Sequence, residues 1–326
     1  MGMLLEIKNL STHFNTEHGV IKAVDGVSLA IDEGDTLGVV GESGCGKTVL
    51  ALSIMRLIPS PPGKIVSGSI LFNGTDLLKL DSEEMRTVRG KDISMVFQEP
   101  MTSLNPVLRI GDQITEIIRL HMGLGRKEAM DRAMETLSLV GMPSPETVVR
   151  NYPHQMSGGM RQRVMIAMAI CCGPKLMLAD EPTTALDVTI QAQILELIGR
   201  LKKETGASVM LITHDLGVIA EAAEHVAVIY TGQVVEYASV EKLYATPLHP
   251  YTVGLMQSIP KIDAADARNE HLNVIPGMVP SLYNLPRGCT FQDRCPHTMQ
   301  ICREKEPQLW EHLPRHKVHC WLYEQK

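Results

Sequence analysis

A glycine-rich segment near the start of the chain carries residue types that bind phosphate. Residues 41–48, GESGCGKT, fit the pattern G-x-x-x-x-G-K-[ST] and are called the phosphate loop below. Glycines let backbone N–H groups turn inward around a phosphate, and a following helix directs its positive end at it. Lys47 would then reach the β- and γ-phosphates of a nucleotide, and Thr48 would place its hydroxyl on Mg²⁺. The loop residues expected to bind the nucleotide are Gly41, Ser43, Gly44, Gly46, Lys47 and Thr48.

Two consecutive acidic residues follow an apolar run later in the chain. The run Leu176–Ala179 predicts a strand, and Asp180 and Glu181 stand at its end. A carboxylate at this position can hold Mg²⁺ through water, and the next one can orient or deprotonate an attacking water. In isolation such a pair is a common surface feature. Downstream of a phosphate loop it indicates nucleotide hydrolysis.

Five of the seven cysteines occur in two settings that could carry chemistry. Cys45 lies inside the phosphate loop, where inward-pointing N–H groups would favour its thiolate, and the alternative is a small buried side chain. The odd number of cysteines, seven, argues against a disulfide framework. The last four, called the late cysteines, fall within the final forty residues of the chain. They are Cys289, Cys295, Cys302 and Cys320.

The composition excludes several classes of protein. The 326 residues contain 31 Lys and Arg against 37 Asp and Glu, and the net charge of -6 argues against nucleic-acid binding as the main task. Aromatic residues make up only 4%, which argues against a stacking platform for single strands. The longest apolar run, Val164–Cys172, is far shorter than the roughly 20 residues that cross a bilayer.

The pattern of apolar residues predicts the elements that position these side chains. Residues 1–40 indicate strands and turns, and the phosphate loop lies between a strand at Thr36–Val40 and a helix at Val49–Leu57. Ile110, Ile114, Ile117 and Ile118 share one helical face in a predicted helical insert. Helices and strands then alternate over residues 157–235, which predicts a parallel sheet covered by helices. Beyond about residue 240 the chain is rich in proline and irregular, and Lys261–Glu270 indicates a linker.

A third motif narrows the class of nucleotide-hydrolysing proteins to which the chain could belong. Ser157–Arg163, SGGMRQR, places a credible N-cap serine before two glycines and a helix, which makes a second anion site at a helix N-terminus. The segment resembles the signature motif of ATP-binding cassette (ABC) ATPases. The other motifs of that family follow the same order in this chain. They are Gln98 in VFQEP, Thr184–Asp187 (TALD) and His214 in LITHDL.

The resemblance, which covers about residues 4–235, implies further roles. Two cassettes would pair head to tail, so that Ser157 and Gly159 of each close on ATP held by the phosphate loop of the other. Gln98 would bind Mg²⁺ and sense the lytic water, and His214 would contact the γ-phosphate. Phe14 stands where the family places an aromatic ring against adenine, although a lone aromatic is as often a core residue. Asp187 would lie where the cassettes meet.

The second half of the chain is similar to the ATP-binding subunits of dipeptide and oligopeptide importers. The segments that carry this resemblance are Val96–Pro106 (VFQEPMTSLNP), His249–Thr252 (HPYT), Ile275–Pro280 (IPGMVP) and Arg287–Cys295 (RGCTFQDRC). It implies ATP hydrolysis that powers peptide import, at the cytoplasmic face of the cell membrane and as a peripheral subunit. The expected partners are a second ABC ATPase subunit, identical or paralogous, integral membrane permease subunits and, indirectly, an extracellular peptide-binding protein. No nucleic-acid partner is expected.

The late cysteines suggest a metal site. Four thiols in one loop-rich segment of a protein from a reducing compartment are typical of metal ligands. Their gaps lack the short paired steps of zinc sites and favour a [4Fe–4S] cluster, a preference that the resemblance strengthens. Zinc, with help from a nearby histidine, and four unligated thiols are the alternatives. Nearby cations could offset the charge of a cluster; they are Arg287, Arg294, Arg303, Arg315 and Lys317.

Together these features predict an α/β phosphate-loop ABC ATPase core with an N-terminal β-subdomain and a helical subdomain. The nucleotide-binding domain would cover residues 1–240, with the helical insert at about 100–160. Residues 241–326, the C-terminal extension, would carry the late cysteines as a four-cysteine cluster motif. Two other functions stay open, a non-transport ABC ATPase that acts on nucleic acid or ribosomes, and a metal-binding regulator with a degenerate ATPase site.

Overall fold

A computed structural model describes residues 2–184, 186–258 and 274–324 of the chain. The predicted linker Lys261–Glu270 lies outside the described residues. The described part contains twelve strands and twelve α-helices, named here in chain order. The strands are β1 (Met3–Thr16), β2 (Gly19–Asp32), β3 (Thr36–Val40), β4 (Gly63–Phe72), β5 (Thr75–Asp76), β6 (Ile93–Val96), β7 (Leu176–Asp180), β8 (Ser208–Thr213), β9 (His225–Tyr230), β10 (Gln233–Ser239), β11 (Trp310–Leu313) and β12 (His316–Val318). The helices are α1 (Lys47–Ile54), α2 (Ser82–Val88), α3 (Pro100–Ser103), α4 (Ile110–Met122), α5 (Arg126–Leu139), α6 (Pro145–Val148), α7 (Gly158–Ile170), α8 (Val188–Thr205), α9 (Leu216–Ala222), α10 (Val240–Ala245), α11 (Pro250–Gln257) and α12 (Gln300–Glu304).

The chain forms two compact units. The first contains Gly2, Asp32–Asp35 and the described residues of Lys79–Ile212. The second contains Met3–Ile31, Thr36–Leu78 and the described residues of Thr213–Lys326. The phosphate loop belongs to the second unit, whereas Asp180, Glu181 and the signature segment belong to the first.

The first unit contains parallel strands followed by helices. β6 pairs with β7, and β7 pairs with β8, both in parallel register. All residues of β7 are buried, as expected for a parallel strand whose two faces are both covered. The alternation predicted from the sequence is confirmed here, and the carboxyl end of β7 carries Asp180.

A helical layer of the first unit packs through the predicted apolar faces. Ile110, Ile114 and Ile118 of α4 are fully buried, as the spacing predicts, whereas Ile117 is half-buried. The buried face of α5 consists of smaller side chains, Ala129, Ala133, Thr136 and Leu137. Alanines at this face let α5 approach its neighbours closely.

The second unit contains two sets of strands. β1 pairs antiparallel with β4 in a four-stranded sheet of order β2-β1-β4-β5. In the other set, β3 pairs in parallel with β9, and β9 pairs antiparallel with β10. The predicted strand Thr36–Val40 is confirmed residue for residue.

The C-terminal extension is more regular than its proline content suggests. β12 pairs antiparallel with β10, and β11 pairs antiparallel with β12, so the extension continues the strand set of the second unit. These strands span only four and three residues, too short to leave a periodic apolar pattern in the sequence. The division into domains at residues 240 and 241 stays a prediction. No helix in the described residues is long and apolar enough to cross a membrane.

Candidate functional site

The phosphate loop connects β3 to α1, as the motif requires. Gly46 has a φ of 103°, and a Cβ there would lie 2.0 Å from the carbonyl oxygen of Ala23. A Cβ on Gly41 would lie 2.2 Å from the carbonyl oxygen of Ile229. Both positions therefore exclude a side chain because the neighbouring backbone is in contact. Glycine is required at both positions for close approach, and at Gly46 for the left-handed conformation as well.

Lys47 points back over its own loop. Its side chain is 4% exposed, and Nζ donates to the carbonyl oxygens of Gly41 at 2.8 Å and Glu42 at 3.0 Å. The helix α1 begins at Lys47 without a side-chain cap and without an acidic residue in its first turn. The first turn of α1 itself therefore contributes no carboxylate that would offset the partial positive charge of the helix N-terminus.

The loop has the shape and chemistry of a phosphate cradle. A Cβ on Gly44, whose φ is 78°, would meet no atom within 4 Å, so open space lies beside this glycine. Ser43 and Thr48 are exposed and carry hydroxyls. Backbone N–H groups, one ammonium and hydroxyls are the donors that nucleotide phosphates need, and a threonine hydroxyl suits Mg²⁺.

In the first unit, the structure brings two predicted catalytic residues together. Nε2 of Gln98 donates a hydrogen bond to Oε2 of Glu181 at 3.0 Å, and Oγ1 of Thr184 donates to the same oxygen at 2.9 Å. Glu181 has a φ of 45°, and its N–H donates to the carbonyl oxygen of Ile212 at 2.9 Å. The left-handed conformation is costly for glutamate, and strain of this kind clusters at functional sites.

Asp180 occupies the last position of β7 and is 1% exposed. A carboxylate so deeply buried at the end of a parallel strand suits a role in orienting a metal-bound water, as the sequence predicts. Thr48 supplies a hydroxyl in the second unit. Hydroxyl and carboxylate oxygens are each of the ligand type that Mg²⁺ prefers.

The signature segment begins a helix in the predicted way. The side chain of Ser157 accepts a hydrogen bond from the N–H of Met160 at 3.4 Å, which makes Ser157 the N-cap of α7. A Cβ on Gly159 would lie 3.1 Å from Cγ2 of Ile190, so this glycine allows α8 to pack closely. Asp187 is exposed and caps α8 by accepting from the N–H of Ile190 at 3.0 Å.

Two residues whose roles rest on the resemblance lie in the second unit. His214 is exposed and directly follows β8. Phe14 is half-buried in β1 opposite Gly63, and a Cβ on Gly63 would lie 2.8 Å from its ring. The contact of Phe14 with Gly63 gives the ring a packing role within the sheet. Its stacking on adenine stays a prediction.

The pKa of the Cys45 thiol is shifted in the direction opposite to the one that the sequence predicts. The side chain is fully buried, and burial raises the pKa of its thiol despite the nearby Lys47 ammonium. The N–H groups of the loop were expected to favour a thiolate. Desolvation outweighs them here because the sulfur faces the interior rather than the phosphate side.

The prediction of a [4Fe–4S] cluster at the late cysteines is wrong, and zinc is not supported either. No group of three or more His, Cys, Asp or Glu side chains in the part of the chain that the structure describes is arranged to hold a metal ion. The late cysteines, Cys289, Cys295, Cys302 and Cys320, are free and line one small cavity. Burial raises the pKa of Cys289 to about 12 and that of Cys320 to about 11. These two thiols stay protonated near neutral pH in the metal-free protein.

One of the cations assigned to the expected cluster has another partner. Arg294 is 6% exposed, and its Nη1 and Nη2 donate to the carboxylate of Glu42, within the phosphate loop, at 2.7 and 3.0 Å. Sequence reasoning missed this contact because 252 positions separate the two residues. The only signal was a charged residue, Glu42, at a free position of the loop motif.

The fold, the phosphate loop of the second unit and the acidic and signature residues of the first unit define an ATP-binding cassette ATPase. A sequence model of the ABC transporter family matches residues 24–184. The chain also resembles a solved structure, the dimeric ATP-binding cassette MJ0796 in a post-hydrolysis state bound to ADP and phosphate. The TM-score is 0.65 at 28% identity, with 73% of this chain and 99% of that chain covered.

Sequence relatives and a second family model narrow the class. A model of the oligopeptide/dipeptide transporter C-terminal region matches residues 235–302. The chain is 53% identical to a probable peptide ABC transporter ATP-binding protein of Sinorhizobium fredii, over 98% of this chain and 95% of the relative. It is 52% identical to the oligopeptide transport ATP-binding protein AppD of Bacillus subtilis, over 100% and 98% of the two chains. The chain belongs to the family of peptide ABC transporter ATP-binding proteins.

Proposed function

We propose that this chain hydrolyses ATP to power the import of di- or oligopeptides through a membrane ABC transporter. The observation that carries the proposal is the intact set of cassette motifs in a chain with 52% identity, over its full length, to an oligopeptide transport ATP-binding protein. The second family model matches residues 235–302. It favours a transport function and disfavours the alternative of an ABC ATPase that acts on nucleic acid or ribosomes.

Each site residue has a proposed role in hydrolysis. Backbone N–H groups of the phosphate loop bind the nucleotide phosphates, and the ammonium of Lys47 neutralises charge on the β- and γ-phosphates. By the roles that the family motifs imply, Thr48 and Gln98 would ligate Mg²⁺ and Asp180 would hold it through water, and the ion would neutralise further charge on the phosphates. Glu181 orients the attacking water and takes its proton, and His214 donates a hydrogen bond to the γ-phosphate.

Neighbouring side chains hold Glu181 in position for this role. Hydrogen bonds from Gln98 and Thr184 converge on Oε2 of Glu181. Two donors on one oxygen fix the rotamer of the side chain. A fixed carboxylate needs less reorganisation when it accepts the proton.

The partners follow from the family. A second ABC ATPase subunit pairs head to tail with this chain, and Ser157 and Gly159 of one cassette close on ATP held by the other. Integral membrane permease subunits bind the pair at the cytoplasmic face of the membrane, with an extracellular peptide-binding protein acting indirectly. Residues 1–240 form the nucleotide-binding domain, with the helical insert at about 100–160, and residues 241–326 form the C-terminal extension.

Affinity purification of the tagged full chain from detergent-solubilised membranes of its own cells tests the assembly. The proposal expects integral permease subunits in the purified complex and a rise in ATPase rate when peptide and its binding protein are added. Recovery of ribosomes or nucleic acid in place of permease subunits would favour the alternative function.

A further inference from the structure

The C-terminal extension reaches back to the phosphate loop through an ion pair. Nη1 and Nη2 of Arg294 donate to the two carboxylate oxygens of Glu42 at 2.7 and 3.0 Å. The arginine side chain is 5% exposed and that of the glutamate 31% exposed. Two parallel hydrogen bonds to one carboxylate fix both side chains in position. Nε of Arg294 donates to the carbonyl oxygen of Pro276 at 3.1 Å, which anchors the arginine itself.

A second contact reaches the backbone of the same loop residue. The N–H of Glu42 donates to Oη of Tyr251 at 2.9 Å. The preceding residues explain the position of this tyrosine, because His249 caps α11 by accepting from the N–H of Tyr251, and Pro250 occupies the first helical turn. Both polar ends of Glu42, its N–H and its carboxylate, are therefore bound by residues beyond position 241.

Aromatic rings support the two contacts. Tyr230 and Tyr251 have ring centroids 4.7 Å apart, and Phe291 packs against Tyr230 at 5.3 Å. The guanidinium of Arg294 lies 5.9 Å from the ring centroids of both Tyr230 and Phe291. Burial against aromatic faces favours arginine over lysine at this position.

A third connection passes through the turn between β9 and β10. Oγ1 of Thr231 donates to Oγ1 of Thr290 at 2.7 Å, and the N–H of Gly232 donates to the carbonyl oxygen of Cys45 at 2.8 Å. This turn therefore joins the C-terminal extension to the centre of the phosphate loop. The loop is held at Glu42 and at Cys45, on either side of the open space beside Gly44.

From these contacts we propose that Arg294 and Tyr251 are positioning residues that shape the phosphate loop and neutralise Glu42, so that the C-terminal extension sets the affinity for nucleotide. Glu42 introduces a negative charge into a loop that binds anionic phosphates. Arg294 cancels this charge, and the N–H bond to Tyr251 orients the first peptide of the loop. The proposal rests on the phosphate loop being the nucleotide site.

The test measures the KM for MgATP and kcat of the purified full chain. Arg294→Gln should raise the KM at least tenfold and leave kcat at saturating MgATP within about twofold, because Arg294 acts on binding rather than on the water. The increase should shrink at high salt, where exposed charges are screened. Arg303→Gln, an exposed arginine of the same extension, is the matched control and should leave the KM unchanged.

A double variant separates the charge effect from general damage. Glu42→Gln combined with Arg294→Gln removes both charges, and its KM should recover most of the way to that of the wild type. Tyr251→Phe keeps the aromatic ring, removes the acceptor for the Glu42 N–H, and should raise the KM several-fold. If Arg294→Gln does not fold, Arg294→Lys, which retains the charge and loses the paired geometry, should show a smaller rise in KM.

An unchanged KM in folded Arg294→Gln or Arg294→Lys, together with an unchanged KM in Tyr251→Phe, would overturn the proposal. Equal loss of affinity in the single and double variants would also overturn it, because repulsion by Glu42 would then play no part. Lys47→Ala serves as the reference for the site. If that variant bound MgATP normally, the error would lie in the assignment of the nucleotide site rather than in the role of the extension.

Discussion

The phosphate loop and the late cysteines lie in the same unit, and a site was predicted at each from residue type and spacing. The strand and helix predicted on either side of the loop are found, whereas the metal site predicted at the cysteines is wrong. At the loop the phosphate-binding groups belong to the backbone. Glycine is needed at positions such as Gly46 because a side chain there would clash with the backbone of Ala23. At Cys289 and its neighbours the chemistry depends on the protonation of side chains. Burial raises the pKa of the Cys289 and Cys320 thiols.

The difference shows which kinds of site can be predicted from a sequence pattern. The conformation of a backbone cradle is set by φ, which the glycines of the loop specify locally, whereas its packing partners, such as Ala23 and Ile229, lie elsewhere in the chain. A metal site requires four deprotonated side chains at set distances, and these depend on how distant segments are buried. Variants of both regions test this distinction, beginning with the largest expected effect.

Glu181→Gln should reduce ATP hydrolysis by about 10²- to 10⁴-fold, the usual contribution of a general base. ATP binding should persist because the amide keeps the shape of the side chain and the hydrogen bond from Thr184. An ATP-bound dimer should accumulate, since the two cassettes could close but not hydrolyse. Turnover is measured by phosphate release and the dimer by size-exclusion chromatography. Turnover near that of the wild type would remove Glu181 from the catalytic role.

Lys47→Ala and Cys302→Ser compare the two regions directly. Loss of the ammonium should weaken MgATP binding by about 10- to 100-fold, as expected for charge-assisted hydrogen bonds of roughly 1.5–3 kcal/mol. Cys302→Ser should leave MgATP binding and ATPase activity unchanged. It should lower the free energy of unfolding by about 1–3 kcal/mol, because it places a hydroxyl at a buried position.

Calorimetric titration and urea unfolding measure these effects, with Cys302→Ala as the control that adds no polar group. Elemental analysis of the anaerobically purified wild type should find neither iron nor zinc in stoichiometric amount. About four irons per chain would restore the cluster and contradict the comparison drawn between the two regions.

Gly46→Ala and Gly44→Ala test the backbone account of the loop. Both glycines have positive φ, which costs a non-glycine residue about 1–2 kcal/mol. Only the Gly46 position adds a clash, with a Cβ 2.0 Å from the oxygen of Ala23. Thermal unfolding should therefore show a clearly larger loss for Gly46→Ala, and equal losses would refute the steric part of the argument.

The pH dependence of stability gives the smallest effect. The folded pKa of Cys289 is raised to about 12, above its ordinary value of 9.0, so the folded state retains a proton that the unfolded chain loses. This contribution to stability is fully present below pH 9 and is lost as the pH rises towards 12. Urea unfolding between pH 8 and 11 should show a slope that Cys289→Ala reduces. An unchanged slope would mean that burial does not control this thiol.

Much of the cassette could be predicted from the sequence. The strand Thr36–Val40 and the N-cap Ser157 are local features, each specified by a few neighbouring residues. The contact of Arg294 with Glu42 could not be predicted, because nothing near either residue indicates a partner 252 positions away. The short strands form by pairing rather than by their own propensity, since β12 pairs with β10 and β11 pairs with β12.

Uptake of labelled di- or oligopeptide into proteoliposomes that contain the co-purified transporter tests the central claim most directly. With wild-type chain and binding protein, uptake should require ATP on the side of this subunit and should stop when the subunit carries Glu181→Gln. Peptide uptake that continued at the wild-type rate with the Glu181→Gln subunit would contradict the account, as would ATP hydrolysis that never drives peptide across the membrane.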